Sequence, residues 1–306
     1  MNTRHAQIIL TTLREGSFTA AARALYITQP TLSQTVRQIE MQLGEPIFVR
    51  GRQPLTLTPA GELYVQTARR MIHLETQLTE ALSIMRGNAQ GVVRIGVMLH
   101  RSCELLPQVI HDFYRTYPDV RIECTEGTPQ ELAQRVEQGT LDIALFSDAA
   151  RYAKLDYRQI AADEIVLLIS RESAFGKRFP SGSTISLTQA REERFVHPRD
   201  GGPSRPYFDK LFETAGFSPQ IAVTCENIET AKRLAVSGSM AMLCPFISLL
   251  CDSASMRRLA HYHLGPDAFM PAMCMVHQKD QPLSPYCELL YTLIANRYRA
   301  MTAYRE

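Results

Sequence analysis

No stretch of this 306-residue sequence is apolar for long enough to cross a membrane. The longest runs, such as IVLLI at 165–169, fall far short of the roughly 20 residues that a span needs. The opening MNTRHAQIIL lacks a basic start followed by an apolar core, so it does not read as a signal peptide. The expectation is a cytoplasmic protein with no membrane partner. Seven cysteines (103, 124, 225, 244, 251, 274 and 287) are odd in number, scattered, and never spaced C-x-x-C, which speaks against a disulfide framework or a zinc module. Repeats and low-complexity segments are missing as well. Residues 1–88 contain no lysine and no aspartate; their nine Arg against six Glu leave a balance of +3, whereas residues 89–306 carry 24 basic and 25 acidic side chains. The basic excess therefore sits in the N-terminal piece.

What is present is the composition of a globular chain, 45% hydrophobic and 21% charged, long enough for two domains. The first 58 residues read as short helices with tight breaks. HAQIILTTLREG is a helix ending at Gly16, and SFTAAARALYI a second helix capped by Ser17 or Thr19. TQPTLSQTVRQIEMQLG (28–44) is a third, with Thr28 as cap, Pro30 in the first turn and Gly44 as the stop. Leu32, Val36, Ile39 and Leu43 form one narrow apolar stripe on it, while Pro30, Ser33, Gln34 and Arg37 face the other way without a central carboxylate. PIFVRGRQPLTLTP looks like two short strands around a turn, a small wing.

A helix of nearly 30 residues follows from Thr58 and Pro59, with Met71, Leu74, Leu78, Ala81 and Met85 spaced 3, 4, 3, 4 as a heptad seam. Such a seam predicts a dimer joined along this helix, or a packing stripe against the same chain. RGNAQG (86–91) reads as the hinge. Beyond it, strands and helices alternate in a β-α-β-α-β run, the pattern of a parallel sheet covered by helices, and a second such set follows.

The N-terminal residues resemble the LysR-type transcriptional regulators. The matching pattern is Gly16-Ser17-Phe18-Thr19-Ala20-Ala21-Ala22, Leu25, Thr28-Gln29-Pro30-Thr31-Leu32-Ser33, Ile39-Glu40, Leu43-Gly44, Ile47-Phe48, Arg50 and Leu57-Thr58-Pro59-Ala60-Gly61, all in order. YPDVRIE, GTLDIALF, AGFSP and MLCP continue the resemblance through the rest of the chain. It implies an α/β protein with a winged helix-turn-helix DNA-binding domain (1–58), a linker and dimerisation helix (59–88), and a two-lobed, periplasmic-binding-protein-like effector domain (89–306). Lobe I would span about 89–162 and 267–306, and lobe II about 163–266. The implied partners are double-stranded DNA, a small-molecule effector, a second copy through the linker helix with paired dimers forming a tetramer, and RNA polymerase as a further candidate.

On residues 28–44 the resemblance and the chemistry agree. A recognition helix buries one stripe and offers short polar side chains to base edges in a major groove. Gln29, Ser33, Gln34 and Arg37 suit that task, with Pro30 and Thr31 beside them, because Gln can bond an adenine edge and Arg a guanine edge or a phosphate. Arg50 and Arg52 on the wing suit backbone phosphate or the minor groove. In the effector domain the resemblance points to Met98, His100, Ser102, Thr128, the 197–205 loop with His197, Asp200 and Gly201, and the 225–229 segment with Asn227 as pocket lining. Thr128 reads equally as a helix cap. Carboxylate-binding members often carry Ser or Thr where Met98 and His100 stand here, which suggests a larger, more apolar or aromatic effector.

No cofactor, metal or catalytic residue is expected. His100, Ser102 and Glu104, at i, i+2, i+4 on a loop, do not form a positioned nucleophile and base. His261 and His263 could share a strand face as metal ligands but lack a third partner, so solvated or hydrogen-bonded histidines are the expectation. Two rival functions stay open. A redox switch through Cys244 and Cys251 would need accessible thiols, yet both flank an apolar run. A plain solute-binding protein would leave the first 58 residues without a purpose.

Overall fold

The computed structural model describes residues 2–49, 51, 54–86, 89–147, 151–162, 164–202, 204–238, 240–249, 257–265, 268 and 272–302; of Leu99, His100, Glu104 and Thr302 it describes the backbone alone. Arg50, Arg52 and Cys251 lie outside the described residues, as does the side chain of His100.

Three short helices open the chain, each started by a side-chain oxygen that takes an otherwise orphan N–H. In α1 (Thr3–Glu15) Asn2 accepts from His5 N at 2.8 Å, and Gly16 ends the helix at φ 68°. Ser17 accepts from Ala20 N at the start of α2 (Phe18–Ala24), and Thr28 from Thr31 N at the start of α3 (Gln29–Leu43). α2 is shorter than the sequence suggested. It ends at Leu25 because Tyr26 takes a left-handed conformation, φ 55°, that breaks the helical register. Ile9, Ala21, Leu32, Val36 and Ile39 meet Ile47, Phe48 and Tyr64 in one small core. Of the two expected wing strands, the described residues retain a single antiparallel bridge, Phe48 to Leu57, with Val49 N donating to Thr56 O.

α4 (Pro59–Met85) is capped by Thr58 and its 27 residues reach about 40 Å. Its start is pressed against the bridge: a Cβ on Gly61 would lie 2.1 Å from Ile47 O, so only glycine fits there.

The remainder forms two five-stranded sheets. The first has the order β2-β1-β3-β10-β4, built from β1 (Gly91–Val97), β2 (Val120–Glu126), β3 (Ile143–Ser147), β4 (Leu155–Ala161) and β10 (Met273–Gln278). The second has the order β7-β6-β8-β5-β9, from β5 (Ile165–Ser170), β6 (Arg194–His197), β7 (Gln220–Thr224), β8 (Ala241–Pro245) and β9 (Leu259–His263). Neither sheet is purely parallel, as the β-α-β reading had it. β10 runs antiparallel to β3 and β4, and β5 antiparallel to β8 and β9. Each is the first strand after the chain has crossed from the other sheet, so it enters from the opposite end. Both are buried along their whole length, as strands covered on two faces must be.

Helices α5 (Leu99–Thr116), α6 (Pro129–Glu137) and α10 (Pro285–Thr302) cover the first sheet; α7 (Ala174–Arg178), α8 (Arg205–Thr214) and α9 (Ile228–Gly238) go with the second. α5 corrects the sequence reading, in which 98–107 was a loop. Met98 is its N-cap and Pro107 lies inside it, so Ser102 sits on a helical turn. Ile247, from the short turn after β8, is fully buried in the core of the first lobe, alongside Phe113, Tyr286 and Leu290.

Candidate functional site

The outer face of α3 has the composition expected of it. Gln29, Pro30, Thr31, Gln34 and Arg37 are exposed and Ser33 is half-buried, while Leu32, Val36 and Ile39 hold the helix to its neighbours. Leu43, expected to end the apolar stripe, is partly open to solvent instead. Gln29 Nε2 donates to Ser33 Oγ at 3.1 Å, so two of the polar side chains order each other across one turn. Glu40 has a role that spacing alone did not reveal. Its Oε1 accepts from Ile47 N at 2.8 Å and Phe48 N at 3.3 Å, which ties the wing to α3 and turns the carboxylate away from the reading face.

The second site is a cavity of about 320 Å³ between the two sheets. One wall comes from Met98, Glu126, Thr128 and Glu131 of the first lobe; the other comes from His197, Arg199, Phe208, Ile228 and Met242 of the second. Of the residues singled out from sequence, Met98, Thr128 and His197 line this cavity. Four others are not part of its lining, and three of these have their polar atoms engaged elsewhere. Ser102 donates to Glu126, exposed Asp200 pairs with Arg205 at 3.0 Å, Gly201 forms a turn at φ 77°, and Asn227 Oδ1 accepts from Glu229 N and Thr230 N at the head of α9. Phe208 and Met242 went unnoticed in the sequence, because each reaches the cavity from an element whose apolar residues read simply as core.

Thr128 does cap α6, in a reciprocal box in which its N–H and Oγ1 donate to Glu131 Oε2 at 2.9 and 3.0 Å. These bonds hold the exposed Glu131 carboxyl below its ordinary range. His197 is buried, its Nε2 2.8 Å from Asp209 Oδ1; burial lowers its pKa, against the hydrogen bond to Asp209, and favours the neutral ring.

Two family models account for nearly the whole chain. That for bacterial regulatory helix-turn-helix proteins of the lysR family matches residues 3–62, and that for the LysR substrate binding domain matches residues 86–299. The chain belongs to the LysR family of transcriptional regulators. It is similar to the HTH-type transcriptional regulator CfxR of Cupriavidus necator, 28% identical over 237 residues that cover 77% of this chain and 73% of that protein. Full-length OxyR from Pseudomonas aeruginosa, solved as a cysteine-to-aspartate variant, shares the fold with a TM-score of 0.70 at 19% identity, over 96% of this chain and 98% of that one. CbnR complexed with its target DNA superposes with a TM-score of 0.63 at 21% identity, over 97% and 99%. As a LysR-type regulator the protein binds DNA through its N-terminal domain and an effector through its C-terminal one.

In this LysR-type regulator α4 has two contrasting sides. The inner side is fastened to lobe I: Arg69 donates to Gln138, His73 Nδ1 lies 3.5 Å from Asp142 Oδ1, Gln77 donates to Pro282 O, and Ser83 meets Tyr286. Glu80 lies deepest in this seam. Burial pushes its carboxyl up to about 7, against a hydrogen bond from Val92 N, with Asp142 raising it further and Arg94 opposing. Asp142 and His73 are both driven towards their neutral forms by the same burial. Along the outer side Leu74, Leu78 and Met85 of the heptad seam are 50%, 61% and 83% exposed, and Leu63 and Leu82 extend the strip.

Among the described residues no group of histidines, cysteines and carboxylates could hold a metal ion, and none of the helices is long and apolar enough to cross a membrane. His263 bonds Glu164 at 2.8 Å and His261 meets Ser181, so both are engaged within lobe II. Cys244 is buried on β8.

Proposed function

We propose that this LysR-type regulator reads an interrupted palindrome with two copies of α3 and answers to an apolar or aromatic small molecule held between its lobes. In this reading Gln29, Ser33, Gln34 and Arg37 contact base edges, and Pro30 and Thr31 set the helix against the backbone. Arg50 and Arg52 would add phosphate contacts from the wing. Two copies pair along the bare strip of α4 and two pairs form a tetramer, so half-sites are spaced by the assembly. The chain acts in the cytoplasm, is not an enzyme, and meets RNA polymerase at the promoters it controls.

The observation that carries the effector half is the cavity lined from both lobes, with Met98 and Thr128 on one side and His197 and Phe208 on the other. A molecule that bridges the two walls favours the closed arrangement by its differential affinity for it, and the DNA complex responds through the change in how copies sit together. Fluorescence anisotropy with cognate and scrambled duplexes tests the DNA half. Arg37→Ala narrows the gap between the two by about 1–3 kcal/mol; unchanged discrimination would remove Arg37 from the readout. Buried Cys244 does not favour the redox alternative, because a sensing thiol has to be reached by oxidant.

A further inference from the structure

The charges around the interlobe cavity restrict the chemistry of what enters it. Lobe II offers apolar surface, chiefly Phe208, Ile228 and Met242, whereas lobe I presents the carboxylates Glu126 and Glu131. Among the described lining residues Arg199 is the one arginine or lysine, and it is paired with Glu226. The neutral His197 ring does not replace it.

An anion would seek the free N–H groups at helix N-termini. The chain's own oxygens take those of α6 and α9, whereas α5 and α8 begin without a side-chain cap, α5 with Glu126 held against its first turns. At α6 the acceptors are Thr128 and Glu131; at α9 the acceptor is Asn227 Oδ1. The head of α8 carries Arg205, which is held by Asp209 at 2.7 Å and Asp200 at 3.0 Å. Glu126, by contrast, is fixed without being neutralised. Its Oε1 accepts from Ser102 Oγ in the first turns of α5, and no described residue donates to Oε2.

We propose that the effector carries a positively charged nitrogen, an amine or amidinium, on an apolar body, with the charge against Glu126 and the body against Phe208 and Met242. The inference rests on the cavity being the effector site. Lobe closure would exclude water from the pair and strengthen it, so the charged nitrogen itself favours the closed arrangement. A carboxylate in the same place would meet two carboxylates and no free cation.

The test uses full-length protein at pH 7, by calorimetric titration and thermal unfolding, with phenylalkylamines of two to four methylenes and their isosteric carboxylates and alcohols. The expected result is saturable binding of an amine about tenfold or more tighter than its isosteres, with the preference lost in Glu126→Gln while the alcohol still binds. A carboxylate that binds as tightly as its amine, or an amine preference that survives Glu126→Gln, would overturn the charge assignment and leave the cavity standing. Absence of binding by every compound overturns the assignment of this ligand class. Ala231→Phe, or Phe208→Trp as a second variant, narrows the cavity. Binding unaffected by either shows that the ligand sits elsewhere, which would bring down the effector-site reading rather than its charge preference.

Discussion

Replacing Glu80 by glutamine should stabilise the protein at pH 8 and change little at pH 4.5. The side chain is only 7% exposed, between α4 and lobe I, and burial raises its carboxyl to about 7 from an ordinary 4.5. A folded-state value above the unfolded one means that the folded protein binds the proton more tightly. Below pH 4.5 both states are protonated and no penalty exists; as pH rises towards 7 the unfolded state ionises first, and stability falls. The full difference of about 2.5 pH units corresponds to roughly 3.4 kcal/mol, and water entering the seam reduces the expected loss to about 1.5–3 kcal/mol. Glutamine has no such penalty and keeps an oxygen for Val92 N. Urea unfolding of wild type and Glu80→Gln at pH 4.5, 6 and 8 measures the difference directly. The neighbouring Asp142, His73 and Arg94 are common to both proteins, so their titration largely cancels. An advantage of the variant that stays constant across the three pH values would refute the burial of an ionised carboxyl as the cause.

Other consequences are equally concrete. Leu74→Glu with Leu78→Glu should dissociate the copies: four leucines leave the seam of a dimer at about 1.5 kcal/mol each or more, and an unchanged sedimentation coefficient would exclude this strip as the interface. Gly61→Ala puts a methyl against Ile47 O and should lower the stability of the DNA-binding domain by about 1–3 kcal/mol, weakening DNA binding with it; an unaltered melting temperature would show that the bridge can shift at no cost. Thr128→Val removes the oxygen that caps α6 and should destabilise lobe I by about 0.5–2 kcal/mol, read by chemical denaturation. Full stability with weakened effector binding would instead make Thr128 a ligand contact first and a cap second.

Local chemistry was readable in the sequence, and direction was not. Ser17, Thr28, Thr58 and Thr128 each cap the helix that follows, because capping depends on residues three apart. The heptad spacing of α4 marked the strip that stays bare for the same local reason. The reversed strands β5 and β10 depend on where the chain crosses between lobes, which no window of residues records. The loop expected around His100, Ser102 and Glu104 is instead the start of α5, which runs on through Pro107. At the cavity, polar residues near the right loops were visible, yet Ser102, Asp200 and Asn227 spend their hydrogen bonds within their own lobe. Phe208 and Met242 come from elements far apart in sequence, and only the packing of lobe II turns them towards a common space.

The grip of lobe I on α4 bears on how a signal can travel. A Cβ on Gly91 would come within 2.8 Å of Glu80 Oε1 and 3.0 Å of the Tyr286 ring, so helix and sheet meet with no slack. Lobe I is then less a passenger on the linker than the broad end of a lever whose narrow end carries the DNA-reading helix. If an effector closes the cavity as proposed, lobe II would move against that lever while the tightly packed joint beneath it stays unbent. On the proposed reading of paired copies, a signal from the cavity would leave by the surface of lobe II, pass sideways to the neighbouring copy, and reach DNA as a change in the angle between levers.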